Sequence, residues 1–520
     1  MATVYSLVCW GGRTGKTVSI SATTDVVTLT GHGLLNGHKL WPSGTLPAEL
    51  STDTPVYARS TAVNTFTLHT SEAGAIAGTG NITFAGSSTY AAVVLKSDLI
   101  VSPSTRLASY GLSDLSRWGS SGSERIYDGL ASWNSGRSGA SSIDVEFCEL
   151  GEAFTDTFSA AMQINVPAAA LRIESKINGV RTEAFHAGVI GAGYIAYQGS
   201  ASATTALHCN RDRTVLNGFT FKVTSGFYGS TGLLLSAFGQ SAISLIVIGS
   251  TGFASIGTVA TGISQSGPGC SILQCVVCGW NHGISITQYM AGLLVANNQV
   301  TKCTIGMRPA GTTNLIGAFY ANISVGNTTN WGASAGFTTA TQNFGLTGEA
   351  WIAGSGTRGV IATTDFLDYS GGVFKPASAS SPQVDTGVDY YTAPVVDIAD
   401  AVRPSYENGT TTYYDAGAYE FDHGYGPWPA SYTLELTGIP AGSEVRCYTG
   451  SKGASAVEIG GTETTTGTSY SFSHSSGGVA GFIHIIHPDY AIQQFDYTYQ
   501  AADTTIPIQM PADRWYSNPA

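Results

Sequence analysis

Five stretches decide the fold: Thr214-Val-Leu-Asn-Gly-Phe-Thr-Phe221, Ser244-Leu-Ile-Val-Ile248, Ile272-Leu-Gln-Cys-Val-Val-Cys278, Leu293-Leu-Val-Ala-Asn-Asn-Gln-Val300 and Ala318-Phe-Tyr-Ala-Asn-Ile-Ser-Val325. Each is a short apolar or β-branched run closed by Gly, Asn, Ser or Thr, and no helix-period stripe separates them. Aligning Cys275, Asn297 and Asn322 brings Cys278, Val300 and Val325 into line as well. The repeat is roughly 22 to 27 residues, the period of a solenoid. A five-residue strand cannot bury its own apolar face, but stacked copies share one interior. Asn at one position of successive coils predicts a side-chain ladder, Asn297 over Asn322. The competing reading is an antiparallel sandwich with irregular loops.

Composition supports the β reading. The chain has 520 residues, of which only 11% are charged and 65 are Gly. At this length two or three domains or one elongated repeat are expected. Low charge with many turn residues suits an extracellular-type β-structure rather than a helical cytosolic enzyme. A net charge of -12, with no basic cluster beyond Arg211-Asp-Arg213, argues against nucleic acid as a partner. No run is long and apolar enough for membrane insertion. The beginning, Met1-Ala-Thr-Val-Tyr-Ser, carries no basic n-region or apolar h-region, so release by lysis is expected rather than secretion. Eight cysteines are too sparse for a disulfide scaffold and read as free, buried hydrophobes.

Around this centre lie attachments. Gly11-Gly-Arg-Thr-Gly-Lys-Thr17 superficially looks like a phosphate-binding loop, but Trp10 stands where its first Gly belongs, and Val18-Ser-Ile-Ser21 alternates as a strand, not a helix. Residues 19–86 alternate strands and turns. Gly31 to Leu34, Val56 to Ala58 and Asn64 to Leu68 resemble a small β-module of bacteriophage structural proteins. His32 and His38 in its turns are expected to be solvated. Arg125 to Trp133 predicts a short helix capping the first coil, with Ile126, Leu130 and Trp133 on one face. From Ile143 the strands begin, with Asp144, Glu146, Arg172 and Glu174 expected to face outward.

Asp397, Arg403, Pro404, Asp415, Gly417, Ala418, Tyr419 and Glu420 resemble the closing segment of right-handed parallel β-helix proteins, although Asp400 replaces the usual Gly. A Gly/Pro linker at His423 to Pro429 precedes strand-like runs between 430 and 500, similar to C-terminal modules of some phage virion proteins. The resemblance implies an all-β chain: a right-handed parallel β-helix flanked by small N-terminal and C-terminal β-sandwich modules. The expected division is 1–100 for virion attachment, 101–425 for the β-helix, and 426–520 for the C-terminal sandwich and tail.

Candidate chemistry is sparse. Cys275 and Cys278 have zinc-like spacing, but on a strand positions three apart point to opposite faces, so no metal site is expected. Polysaccharide-cutting β-helix enzymes use paired carboxylates; Asp365 with Asp368, Asp144 with Glu146, and Asp385 with Asp389 are candidates, the first named as catalytic. No Asp or Glu falls between Asp212 and Glu349, which argues against hydrolysis. Trp280, His282, Tyr289 and Trp331 are candidate glycan-binding residues, alongside Tyr228; a structural role for the aromatics is the plainer reading. No cofactor is expected. The resemblance implies a virion structural protein, a homotrimeric spike or tail fibre for host attachment, contacting other virion proteins through its N-terminal module and host polysaccharide along its coil. The alternatives are a tailspike-type polysaccharide hydrolase or lyase, and a head or collar decoration protein.

Overall fold

The structure, a computed structural model, describes residues 3–508 except 102–104, 120–123, 141–142, 191, 201–203, 226, 228, 253–254, 256, 258–259, 288–292, 310–314, 333–336, 342, 346–357, 370–372, 379, 384–397, 400–404, 408–410, 414–415, 420–431, 450–456, 465–467, 475–479, 488–489 and 500–503. The chain divides into two compact units, Met1–Ser405 with Tyr413–Phe421, and Tyr406–Thr412 with Asp422–Ala520.

The first unit is a parallel β-helix. Each coil contributes one strand to each of three sheets of ten, nine and seven strands among the described residues. One coil, for example, runs Ser271–Leu273, Val276–Cys278, His282–Ile286; the next runs Leu293–Ala296, Gln299–Thr301, Ile305–Pro309. The strands of the central coils, Thr214–Asn217 to Ile305–Pro309, are short because each coil there turns a corner after three to five residues. At one corner Gly218, Ser244, Gln274, Asn297 and Ala321 all adopt positive φ. Four of these are not Gly, so the bend is held by the stack above and below rather than by local preference alone.

Register departs from the expected alignment by one residue in one coil. Val276 pairs with Gln299, which pairs with Ile323, so Asn298, not Asn297, stands with Cys275 and Asn322. The Asn298 Nδ2 donates to Asn322 Oδ1 at 2.9 Å, and Asn322 Nδ2 donates to Asn343 Oδ1 at 2.9 Å. Each amide also donates to a carbonyl of the coil before it, at Ile272, Val295 and Phe319. The ladder thus satisfies buried corner carbonyls that the sheets cannot reach.

The interior is filled by aligned rows such as Phe221, Val247, Val277 and Val300. The opposite face of the same nine-stranded sheet is also apolar: Ile246, Ile248, Val276, Cys278, Ile323 and Val325 are buried outside the coil. Residues from 361–376, 398–399 and 416–419 cover them as a returning strap. Val325 therefore belongs to this outer layer, whereas Val300 lies in the interior. Gly417 donates its N–H to Ala321 O at 2.7 Å, and at φ +88 a Cβ there would stand 2.6 Å from Ile323 Cδ1. Tyr419 Oη donates to Gly188 O at 2.8 Å. Gly188 in turn donates its N–H to His186 Nδ1 at 3.0 Å, and the other nitrogen of His186 contacts Ser244 O at 2.6 Å. Part of the expected closing segment thus lies along the coil's flank; Asp397, Arg403, Pro404, Asp415 and Glu420 lie outside the described residues.

The N-terminal module differs from expectation in two ways. It is a closed six-stranded barrel, from Lys16–Ser21 to Thr89–Ser97, not a sandwich. Nor does the first module begin at residue 1: strand Thr3–Val8 pairs in parallel with Ile143–Leu150 and Ile126–Tyr127 inside the ten-stranded sheet. The barrel is an insertion after the first rung. Lys16, at the supposed phosphate loop, opens a barrel strand. His32 and His38 are buried, not solvated. The Gly31 to Leu34 turn plugs against the coil, with Thr155 N donating to Gly33 O at 2.8 Å and Trp10 Nε1 to His32 O at 2.7 Å.

The coil's first end is closed by short helices, each bringing a cation to one buried glutamate. The expected capping helix lies at Leu130–Ser138, beginning after Gly129, with Leu130 and Trp133 buried. Its Arg137 Nε and Nη2 donate to Glu146 at 2.9 and 3.0 Å, and Trp133 Nε1 to the same carboxylate at 3.1 Å. Glu146 is fully buried, correcting its expected outward exposure: it pairs with Leu171 and shares the inward face of its strand with Cys148 and Leu150, where the helix closes over it. Arg117 and Trp118, in a 3-10 turn at Ser116–Trp118, hold Glu149 at 2.6 to 3.0 Å. Arg106, from the helix Thr105–Ser109, faces Glu152, which also accepts from Trp10 N and Ser97 Oγ at 2.9 and 2.7 Å. Buried carboxylates satisfied this fully are costly to disturb from either side.

In the second unit, two sheets share one core. Ser469–His474, Tyr432–Thr437 and Thr504–Pro507 form one; Val457–Thr464, Glu444–Thr449, Ala480–His487 and Tyr490–Thr498 form the other. Leu434, Leu436, Val445, Cys447, Ile483, Ile485 and Tyr499 fill the space between.

Candidate functional site

The seven-stranded sheet stacks its strands in parallel and in register. Its strands share a pattern: Thr231-Gly-Leu-Leu-Leu235, Thr261-Gly-Ile-Ser-Gln265, His282-Gly-Ile-Ser-Ile286 and Ile305-Gly-Met-Arg-Pro309. The third position is interior, giving the row Leu233, Ile263, Ile284, Met307 and Trp331. The second position is also buried, and it is Gly because no side chain fits. A Cβ at Gly232 would lie 2.5 Å from the Trp280 ring, and one at Gly262 would lie 2.7 Å from Val277 Cγ1 and 2.9 Å from Trp280. With two adjacent positions turned in, the first and fourth face out. They form the rows Thr205, Thr231, Thr261, His282, Ile305, Thr329 and His208, Leu234, Ser264, Ser285, Arg308, in which Thr231, Ser264 and Ser285 are nonetheless buried.

This geometry removes two of the candidate glycan-binding residues. Trp280 is 1% exposed; its ring packs beneath the Gly row, edge-on to Phe227, and its Nε1 donates to Val247 O at 3.2 Å. Trp331 is equally buried as the interior partner of Met307. Neither offers a face to a ligand. Tyr289 and Tyr228 lie outside the described residues. His282 does reach the outer surface, half-buried, within 3.4 Å of Arg308 Nη1.

The surface carries little charge. Arg308 is the one formally charged residue in these seven strands as described, and the sequence supplies no carboxylate from residue 213 to 348. Burial, and then the neighbouring Arg308 charge, hold the His282 imidazole below the usual histidine range. Burial also lowers His208, whose Nε2 contacts Ser236 Oγ at 2.7 Å. The arrangement offers hydroxyls, neutral imidazoles and one guanidinium, at the rung spacing of about 4.8 Å.

The acidic candidates do not assemble. Asp365 Oδ2 accepts from Ala362 N at 2.7 Å, capping its own turn in the strap. Asp368 ends the strand Phe366–Asp368, but its side chain, like Asp385 and Asp389, lies outside the described residues. Asp144 is exposed, while Glu146 is enclosed by Arg137 and Trp133. Cys275 packs inside the coil and Cys278 beneath the strap, on opposite faces. Burial pushes the Cys275 thiol up to about 12. Among the described residues no group of three or more His, Cys, Asp or Glu is gathered as metal ligands, and no helix is long and apolar enough to cross a membrane.

Arg308, Ser285 and His208 were missed in the sequence. Their signal is the recurring x-Gly-apolar-x pattern, which fixes the fourth position as outward once the Gly column is recognised.

No protein family and no curated protein matches the chain. Among solved structures, one described as the crystal structure of pectate lyase Pel9A is similar, with a TM-score of 0.27 and 13% identity, covering 55% of this chain and 90% of that one. A likeness this slight carries no argument about chemistry. The parallel β-helix stands on the chain's own strand pairing.

Proposed function

We propose that this chain is a bacteriophage virion structural protein, a homotrimeric spike or fibre whose coil binds host-surface polysaccharide without cleaving it. The observation that carries this reading is the outer surface of the seven-stranded sheet, which presents the Thr205, Thr261 and Thr329 hydroxyls and the His208 and His282 imidazoles without a carboxylate. Such a surface can hydrogen-bond a hydroxyl-rich chain, but it supplies no acid and base pair. The coil winds with the right hand that parallel crossovers take. Copies pack through the ten-stranded sheet, whose outward row Val215, Ser241, Ser271, Leu294 and Ala318 is small and uncharged, so association strands few charges. Three parallel copies give avidity to weak sugar contacts. The inserted barrel, a compact module held against the coil's first end, serves as the mount to other virion proteins.

Light scattering on the purified chain is expected to give about three times 53.9 kDa, and excess protein is expected to block phage adsorption. Incubation with host capsule or lipopolysaccharide is expected to show binding without oligosaccharide release. A monomer that neither co-purifies with particles nor blocks adsorption defeats the proposal. Particle-bound protein that does not block adsorption indicates a head or collar decoration protein instead. Oligosaccharide release that disappears in Asp365→Asn or Asp368→Asn makes the chain a depolymerase.

A further inference from the structure

We infer that Arg308 and His282 form an anion-recognising subsite, and that the glycan taken by the seven-stranded sheet is an acidic polysaccharide bearing ring carboxylates. The inference rests on the polysaccharide-binding reading and specifies its substrate class.

Three features carry it. Arg308 is exposed, and no ion pair holds it among the described residues, in contrast to Arg106, Arg117 and Arg137, each set against a buried glutamate. It stands on a surface whose neighbouring coils contain no acid at all, so its charge has no internal counterpart. A cation kept on an otherwise uncharged sheet complements an anionic partner and repels none of its own neighbours.

The second feature is direction. Arg308 pairs in register with Ser285, yet its Nη1 reaches His282 in the first outward row, 3.4 Å away. The guanidinium therefore lies across the two rows instead of projecting along one. With Nη1 donating to His282 Nε2, the imidazole is the neutral tautomer bearing hydrogen on Nδ1. The remaining guanidinium donors are left for a ligand, and a planar fork matches a carboxylate through two parallel bonds.

The third feature is continuity. Thr329 continues the first row one coil beyond Ile305, and Thr261 lies in the same row one coil before His282, both reaching the surface. An acidic sugar seated on Arg308 thus has hydroxyl partners on both sides along the coil. A phosphate-recognising site would instead gather several cations or backbone N–H groups, and this surface has one cation on a strand.

The test uses the full chain and oligosaccharides of a uronic-acid polymer, compared with the same oligosaccharides after carboxyl reduction to the neutral sugars. The intact protein is expected to bind the acidic form about tenfold more tightly, with the preference fading at high salt. Arg308→Gln is expected to remove that preference while leaving binding of the neutral form, and Arg308→Lys to keep a smaller one, since charge survives without the fork. Circular dichroism and trimer mass verify that each variant folds. Equal binding of the two forms by the intact protein overturns the inference but leaves polysaccharide attachment standing. An acid preference that survives in Arg308→Gln also overturns it. Binding of neither form overturns both readings.

Discussion

Acid should loosen this protein through one residue, His186. The ring is fully buried, stacked on Phe185, with Arg181 over the other ring of that stack. Gly188 N–H donates to Nδ1, so Nδ1 carries no proton in the folded state, and Nε2–H donates to Ser244 O. Protonating Nδ1 breaks the bond to Gly188 and places a second cation near Arg181. Burial is the main cause holding its pKa at about 4 instead of 6.5; the Ser244 carbonyl opposes the shift, and the Arg181 charge adds to it. The unfolded chain binds this proton more readily than the folded one. The stability from neutral His186 is therefore complete above about pH 6.5, declines as pH falls, and is exhausted near pH 4. At about 1.4 kcal/mol per pKa unit the full effect is about 3 kcal/mol, with about 2 kcal/mol gone by about pH 5. Urea unfolding, followed by tryptophan fluorescence near pH 7.5 and near pH 5, measures it in the intact protein and in His186→Asn. The variant keeps an acceptor for Gly188 and has no proton to gain, so its curve is expected to lack this loss, while the carboxylates titrate equally in both. Identical pH dependence in the two proteins refutes the reasoning.

Two further outcomes are expected. Val300→Asp places a charge in the dry interior and should abolish the folded coil, read as loss of the β signal in circular dichroism, whereas Val325→Asp should keep the coil but expose the covering segment around Phe366 and Phe374 to limited proteolysis. Asn322→Ala removes the middle of the ladder, orphaning the buried Asn298 backbone N–H and the Val295 carbonyl, and should lower stability by about 2–5 kcal/mol in denaturant unfolding.

The parallel coil was legible because its period and its apolar runs follow from the same need, one shared interior. What escaped the sequence has identifiable causes. Asn297 and Asn298 are identical in type, and only the corner's positive φ, which turns Asn297 out of line, decides that Asn298 joins the ladder. Glu146 lies on the inward face with Cys148 and Leu150, and a carboxylate can stay there only because Arg137 and Trp133 of the distant helix Leu130–Ser138 reach it. Trp280 at a corner looks like an exposed platform until the Gly row that makes room for it inside is aligned. Ile246, Ile248, Ile323 and Val325 are apolar on a strand's outer face, and a strand apolar on both faces signals a covering layer. That layer comes from residues such as Phe366, Phe374, Ile398 and Tyr419, where no periodicity announces it. The sparse acid and charge content of the sheet was plain from composition, but which side chains it isolates required the register.

The strand Thr3–Val8 is made before its partners and placed late. Both of its neighbours, Ile126–Tyr127 and Ile143–Leu150, emerge from the ribosome more than a hundred residues afterwards. The inserted barrel needs none of them for its own pairing, since its entry strand Lys16–Ser21 lies directly beside its exit strand Thr89–Ser97. A finished barrel therefore shortens the effective loop that must close before the first rung can form, because its two ends are already adjacent. The same adjacency makes it a cassette. A different globule whose termini meet could occupy the place between residues 15 and 98, provided it also supplied the donor that Ser97 gives Glu152 and the acceptors that His32 and Gly33 give Trp10 and Thr155.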